Sequence, residues 1–373
     1  MKDYSNEHLV IVRTSGSIMN LTTYNCQELG LAKALLSKGL RVSLVLAGEN
    51  THKEIVGGIN VFFCSFEAIN QQLAWFCDIN SVLTELKPTL IQVHDMGLLM
   101  TWKVVRWAKM HNVPSFLIQG NYCTTQKPFF KQFEHLYNCT LGKYVIKNVT
   151  GVGYKTLMAS KYIKRYYDRP TKPTFIGLDD SKFKNPIHMD WKNKLNLNGK
   201  KVLLYVGLQE PRRNPLFLIE ILKYLPDEYV LLFVGEGPSV NDVNARTKAY
   251  GLCSRVIQLG KQPQEMLPSL YGISDLFLLA SNYEIYGMVI LEAMYFGVPV
   301  ISTLTAGSET LIDAGIDGFI IPELNACKWA NTIERICKDS SVFESMKLAA
   351  IEKIKNKLMW EKSAVDFLEL YFS

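Results

Sequence analysis

Short apolar runs of strand length alternate with helix-length stretches along most of the chain, and this alternation is the strongest constraint on its fold. Residues 8–12 form one such run; a polar loop (13–23), the helical stretch CQELGLAKALLSKG with Gly39 as its stop, and a second run (41–46) follow. Parallel strands need a crossover of a dozen or more residues, usually a helix, so this order predicts a β-α-β unit. Further strands are predicted at 60–64, 89–93, 115–119 and 147–152, with helical stretches between them. Segment 170–186, rich in Pro, Gly and Asp, reads as a linker. Beyond it the pattern resumes with strands at 201–206, 229–234 and 256–259, a helix after Asn214, the loop GEGP, and an apolar run at 275–280. The predicted fold class is α/β, with two doubly wound, Rossmann-like domains facing a central cleft.

A length of 373 residues suits two domains, and a 48% hydrophobic content is ample for two packed cores. The net charge of +6 suits an anionic ligand or an anionic membrane surface and falls short of a nucleic-acid binder's signature. The 8 cysteines are scattered, with no C-x-x-C and no partnering His pattern, which argues against a zinc site or a disulfide framework. No apolar run reaches spanning length, and MKDYSNEHLVIV carries charges where a signal peptide is apolar. The chain is therefore expected in the cytoplasm, with the sequons at Asn20, Asn138 and Asn148 inert.

The chemistry concentrates in residues 279–299, LASNYEIYGMVILEAMYFGVP. A strand-length run is followed by a polar turn (281–286) and a helical stretch (287–296) that Gly297 ends. The helix start leaves backbone N–H groups without intrahelical partners, and Gly287 has no side chain to keep ligand oxygens away from them. Glu284 precedes that start and Glu292 lies in the second turn. Carboxylate, free amides and a second carboxylate suit the sugar hydroxyls, diphosphate and ribose diol of a nucleotide sugar. Two Glu at this spacing are a weak signal alone and are equally compatible with a solvated loop residue and a surface pair.

The wider context SNYEIYGMVILEAMYFGVPVIST resembles the signature of the retaining glycosyltransferase family 4, also called group 1: a Glu, a short aromatic and Gly segment, a Glu followed by Ala-Met, then Gly-x-Pro-Val. The segments YVGLQEPRRNP, FVGEGP, LGKQPQEMLPSLYGISDLFLLAS and TAGSETLIDAGIDGFII follow the family's order, and FIGLDDSKF is similar to its domain-crossing turn. The resemblance implies the glycosyltransferase B architecture. It implies an acceptor-side domain at 1–175, joined by a C-terminal helix (357–373) that crosses back onto it, and a nucleotide-sugar domain at 176–356. It implies Arg213 and Glu284 as catalytic residues, with Gly207, Arg212, Gly260, Lys261, Tyr286, Gly287, Met288, Val289 and Glu292 holding the donor. Gly16, His94 and Gln119 fall on the acceptor side. The chain departs from the family at Thr22 and Thr23 in place of two glycines, Leu40 and Gln119 in place of His, Ile176 in place of Asn, and Leu208 in place of the first of two cations.

His94 follows the strand LIQV and so lies at a strand's carboxyl end, where ligands of open α/β sheets bind. No nucleophile stands nearby for a catalytic dyad, so it reads as an acceptor contact or a satisfied structural His. Residues 127–137 and 155–169 interleave basic with apolar and aromatic residues, compatible with an anionic membrane surface or with two core-packing helices whose cations are solvated.

The expected activity is a metal-independent, cofactor-free hexosyl transfer from a UDP- or GDP-linked sugar to a glycan or lipid-linked acceptor, in polysaccharide or glycolipid biosynthesis, at or near the inner membrane face. No Asp-x-Asp metal motif is present, and retention is implied by the family alone. Two alternatives remain: a non-catalytic carbohydrate-binding homologue, and another enzyme of the same architecture such as a nucleotide-sugar epimerase or a phosphorylase.

Overall fold

The structure, a computed structural model, describes residues 3–19, 21, 26–122 and 128–373. Thr22 and Thr23, and Lys127 of the first basic-aromatic stretch, lie outside these. The chain divides into two compact units: Met1–Gly177 with Trp360–Ser373, and Leu178–Met359.

The first unit is built on strands β1 (His8–Val12), β2 (Arg41–Gly48), β3 (His52–Val56), β4 (Ile59–Ala68), β5 (Ala74–Phe76), β6 (Leu90–His94), β7 (Ser115–Gln119), β8 (Gly151–Tyr154) and β9 (Thr171–Pro173). Their order is β3-β4-β2-β1-β6-β7-β8-β9, with β5 pairing β4. From β4 to β9 the pairings are parallel, and the fully buried HLVIV of β1 shows why the central strands read as unbroken apolar runs: helices cover both faces. β3 and β5 were not anticipated. Both pair antiparallel with β4, and the two-residue connection Gly57–Gly58 between Val56 and Ile59 is a hairpin signal embedded in a mostly parallel pattern.

The strand expected at 147–152 begins only at Gly151, because the helix Lys143–Asn148 takes Lys147 and buries Val145 and Ile146. The stretch 155–169 also differs from a membrane-facing one. Lys155 is buried, and Tyr162, Ile163 and Tyr167 join the core cluster that includes Val104, Val145 and Val152. Its aromatic residues therefore mainly serve core packing. Among the described residues no helix is long and apolar enough to cross a membrane.

The second unit carries β10 (Lys201–Val206), β11 (Tyr229–Val234), β12 (Val256–Gln258), β13 (Leu276–Leu279), β14 (Val300–Ser302) and β15 (Gly318–Ile320) in the order β12-β11-β10-β13-β14-β15. All five pairings are parallel. The order reverses between β10 and β13 here and between β1 and β6 in the first unit. Loops leaving adjacent strands at such a reversal diverge to opposite faces and open a crevice at the carboxyl ends, where ligands of this fold class bind. Residues 207–214 and 280–287 flank one reversal; Arg13–Gly16 and Asp95 flank the other.

Candidate active site

In the second unit the loops after β10 and β13 are fastened together before any ligand is considered. Asn214, at φ 50°, donates from Nδ2 to Ala280 O and to Asn282 Oδ1, both at 2.8 Å, while Asn282 N donates to Arg212 O at 2.8 Å. Gln209 is buried and donates to Gly235 O at 3.0 Å and Gln258 Oε1 at 2.8 Å, tying the same loop to the strands beside it. Sequence reasoning used Asn214 only as a helix start and missed Gln209 altogether; only the folded sheet makes either residue a fastener.

These ties bring two cations and two carboxylates together. Arg212 Nη2 lies 2.8 Å from Glu210 Oε1, and its Nη1 donates to Tyr283 O at 2.8 Å. Arg213 Nε lies 3.4 Å from Glu210 Oε1, and its Nη2 lies 3.6 Å from Glu284 Oε2. Arg212 Nη1 is 3.7 Å from the same Glu284 oxygen. Glu210 was not singled out from sequence. The group is charge-balanced but poorly hydrogen-bonded: Glu210 Oε1, Arg213 Nε and Glu284 Oε2 are buried with no aligned partner. Burial pushes the Glu284 carboxyl up, against the opposing pull of Arg213 and Arg212 and with a further push from Glu210. Buried charges lacking full hydrogen bonding are costly, and such an arrangement is found where a ligand completes it.

Gly207 makes room for this. Its φ is 140°, and a Cβ there would overlap Arg213 Nη1. Leu208, in the place of the family's first cation, is exposed and adds no charge.

The helix after β13 spans Met288–Tyr295, with Gly287 as its N-cap at φ 82°, ψ 64°, a conformation that disfavours any residue with a Cβ. Tyr286 and Met288 are buried, and Val289 is half-buried. Glu292 is 2% exposed rather than a surface residue, and Tyr271 donates its hydroxyl to Oε2 at 3.1 Å. The structure thus places Gly207, Arg212, Arg213, Glu284, Gly287 and Glu292 around the β10/β13 reversal. Gly260 and Lys261 follow β12, two strands away; Lys261 is exposed and forms no ion pair with the Arg212–Arg213–Glu284 group.

On the first unit, Gly16 N donates to Gln71 O at 2.9 Å, closing the loop after β1 against the β4–β5 hairpin. Gln119 is 1% exposed, accepts from Met96 N at 3.1 Å and donates to Asn121 O at 2.7 Å, so its amide holds the turn after β7. His94 is buried, with Nε2 2.9 Å from Gln92 Nε2 and Nδ1 3.9 Å from Glu28 Oε1. Burial foremost, with Lys155 behind it, lowers its pKa to about 3 against the pull of Glu28, which keeps the ring neutral. Around it lie Arg13, Glu28, Asp95 and Lys155, a partly buried charged group that sequence reading did not assemble because its members come from four separate segments.

Residues 189–356 match the family of glycosyl transferases group 1. The group 1 match covers most of the second unit, including both loops of the β10/β13 reversal. Among curated relatives, a UDP-Gal:alpha-D-GlcNAc-diphosphoundecaprenol alpha-1,3-galactosyltransferase of Escherichia coli is 31% identical over 222 residues, 56% of this chain and 56% of that protein. An alpha-D-kanosaminyltransferase of Streptomyces kanamyceticus is 28% identical over 158 residues (42% and 41%), and a D-inositol 3-phosphate glycosyltransferase of Corynebacterium diphtheriae 27% over 180 (46% and 42%). The chain thus spans between 41% and 56% of the length of these relatives. Over almost its full length the chain superimposes on Anabaena HepE in complex with UDP, at TM-score 0.77, 17% identity and coverage of 97% and 98%. The sucrose-phosphate synthase of Thermosynechococcus elongatus gives 0.76 at 18%, covering 98% of each chain. At these identities the likeness establishes the fold, which is that of the glycosyltransferase B class.

Proposed function

We propose that the chain is a retaining glycosyltransferase that moves a sugar from a nucleoside diphosphate sugar to an acceptor bearing a hydroxyl. The observation that carries this reading is the under-satisfied group of Arg212, Arg213, Glu210 and Glu284 beside a glycine-headed helix, at the reversal of a Rossmann-ordered sheet within the region of group 1 similarity. A diphosphate entering there takes hydrogen bonds from Arg213 and Arg212 and from the N–H groups at the start of the helix Met288–Tyr295. Glu292, at the second turn, accepts from the ribose diol, and Glu284 from hydroxyls of the transferred sugar. Charge on the diphosphate grows as the glycosidic bond breaks, so cations fixed beforehand favour the transition state over the ground state. The departing diphosphate accepts the acceptor's proton on the same face, which is the retaining outcome and requires no separate base.

In this scheme the arginines supply the neutralisation that a divalent ion supplies elsewhere, and turnover is expected to survive a chelator. Complete loss of activity in EDTA, restored by magnesium, would overturn that part. The relatives named for D-inositol 3-phosphate and a diphosphoundecaprenol-linked sugar support an acceptor carrying an anionic group, free or lipid-linked. A lipid-linked acceptor would place the enzyme at a membrane surface, in glycolipid or surface polysaccharide assembly.

The test is a thermal-shift screen over UDP, GDP, ADP and their sugars, since a ligand that binds only the native state raises the apparent stability. A shift with one nucleotide and turnover of its sugar supports the enzyme. Binding without turnover or hydrolysis of any donor favours the non-catalytic homologue, and the absence of any shift refutes both.

A further inference from the structure

We propose that Tyr205 is a positioning residue for the transfer: its buried phenol oxygen takes a hydrogen bond from the Arg213 guanidinium and so fixes the direction of that cation before a donor arrives. This rests on reading Arg213 as the principal cation at the diphosphate. Tyr205 is the last but one residue of β10 and is fully buried. Its register partner on β11 is Phe233, and the two ring centroids lie 5.3 Å apart, so the phenol ring is held by a packed neighbour. The hydroxyl reaches past the end of the strand and donates to Leu208 O at 2.6 Å. A carbonyl oxygen only accepts, so the phenol proton is committed there and the lone pairs of the oxygen are left for another donor.

Arg213 is that donor. A Cβ built on Gly207 would lie 2.2 Å from Arg213 Nη1 and 3.9 Å from the phenol oxygen, so the guanidinium crosses over Gly207 beside the hydroxyl of Tyr205. Burial pushes the Tyr205 phenol up to about 12, against the pull of the Arg213 charge and of the hydrogen bond that Arg213 gives it. The phenol therefore stays neutral at ordinary pH and keeps both its bonds.

The carboxylates around Arg213 do not supply the same hold. Glu210 Oε1 stands 3.4 Å from Nε and Glu284 Oε2 3.6 Å from Nη2, and Nε and both oxygens are buried without an aligned hydrogen bond. An ion pair at this range keeps a charge nearby but sets no direction, whereas a hydrogen bond is directional. The bond to Leu208 O also ties down the turn at Gly207, φ 140°, over which the guanidinium lies. A cation aimed in advance needs no reorganisation as charge grows on the leaving diphosphate, which is where a preorganised site gains rate.

The test has two arms, both on the full chain. The first needs no ligand and follows the Arg213 Nε–H signal by NMR. In the unmodified chain its order parameter should approach that of rigid backbone, and in Tyr205→Phe, which keeps the ring and its contact with Phe233, it should fall. A disordered Arg213 in the unmodified chain, or equal order in Tyr205→Phe, overturns the proposal; the former reading holds even where the variant does not fold. The second arm measures transfer with the UDP-, GDP- or ADP-sugar that the screen above shows to turn over. Tyr205→Phe should lower kcat about tenfold or more, as expected for a misaimed catalytic group, with donor KM changed less than about twofold. On an Arg213→Ala background the same change should have little further effect, because Tyr205 acts through Arg213. An equal loss of kcat in the two backgrounds makes Tyr205 merely structural and overturns its positioning role. If the unmodified chain turns over no donor, the transferase reading itself fails, while the NMR arm still decides whether Tyr205 holds Arg213.

Discussion

Arg213 Nη2 stands 3.6 Å from Glu284 Oε2, within ion-pair range yet too far for a hydrogen bond, with side chains 14% and 15% exposed. A buried pair held at this separation keeps its charge balanced while leaving donors and an acceptor uncommitted. We expect Arg213→Ala to lower kcat more than it raises the donor KM, by about 2.7 to 4 kcal/mol in transition-state terms, the loss typical of one preorganised donor to a developing anion. Arg212 is 41% exposed, so solvent screens it more than Arg213, and Arg212→Ala should cost less than Arg213→Ala. Leu208→Arg should restore part of the activity lost in Arg213→Ala, since it returns a cation to the same loop. Steady-state kinetics of the three variants decide this, and a larger defect in Arg212→Ala reverses the assignment.

Glu292 and Glu284 should separate in binding. Glu292→Ala should weaken a free nucleoside diphosphate about as much as its sugar, by roughly 1 to 3 kcal/mol, because the ribose is common to both. Glu284→Ala should spare the free nucleotide and weaken only the nucleotide sugar. The Tyr271 hydroxyl loses its Glu292 acceptor in the first variant, so Tyr271→Phe serves as the control for stability alone. Calorimetry finding equal losses of free nucleotide in the two Glu variants would contradict the division of roles.

Asn214→Ala removes two of the side-chain bonds that join the loops after β10 and β13. It should lower stability by about 1 to 3 kcal/mol in urea denaturation, the range for losing two partly exposed hydrogen bonds while Ala is held in the left-handed region without Asn's tolerance for it. The donor KM should rise as well, because Arg212 and Glu284 lie on the loops so joined. A variant with native stability and native KM would show that the fastening is dispensable.

Two buried histidines should make stability fall on mild acidification. Burial, with a contribution from Arg41, lowers the pKa of His8 to about 4, and burial with Lys155 lowers that of His94 to about 3. Their folded values lie below the unfolded 6.5, so the unfolded chain binds protons first. The stabilisation is fully present above pH 6.5 and is lost as pH falls toward 4 and 3 respectively. Each contributes a slope of up to about 1.4 kcal/mol per pH unit within its window. Denaturation at pH 7 and pH 5 should show a steeper loss in the wild type than in His8→Gln or His94→Gln, and identical slopes would refute the prediction.

The sequence by itself determined the two parallel sheets and the position of the loop and helix around Gly287. Continuous, β-branched apolar runs of strand length such as LVIV and VLLYV suit strands covered on both faces, and the order of strand, Gly-headed loop and helix around Gly287 is local, so it is legible from neighbouring residues. The β3–β4 hairpin was missed because its Gly57–Gly58 signal is two residues long within a parallel pattern. What the tertiary structure alone decided was which distant side chains meet. Glu210 lies opposite Glu284 only once β10 and β13 become neighbours, and Gln119 becomes a backbone clasp only when Met96 N and Asn121 O flank it. The group of Arg13, Glu28, His94 and Lys155 draws on residues from the end of β1 to the end of β8. No local propensity encodes such a meeting, because the free energy of a buried charge depends on partners that only the folded chain supplies.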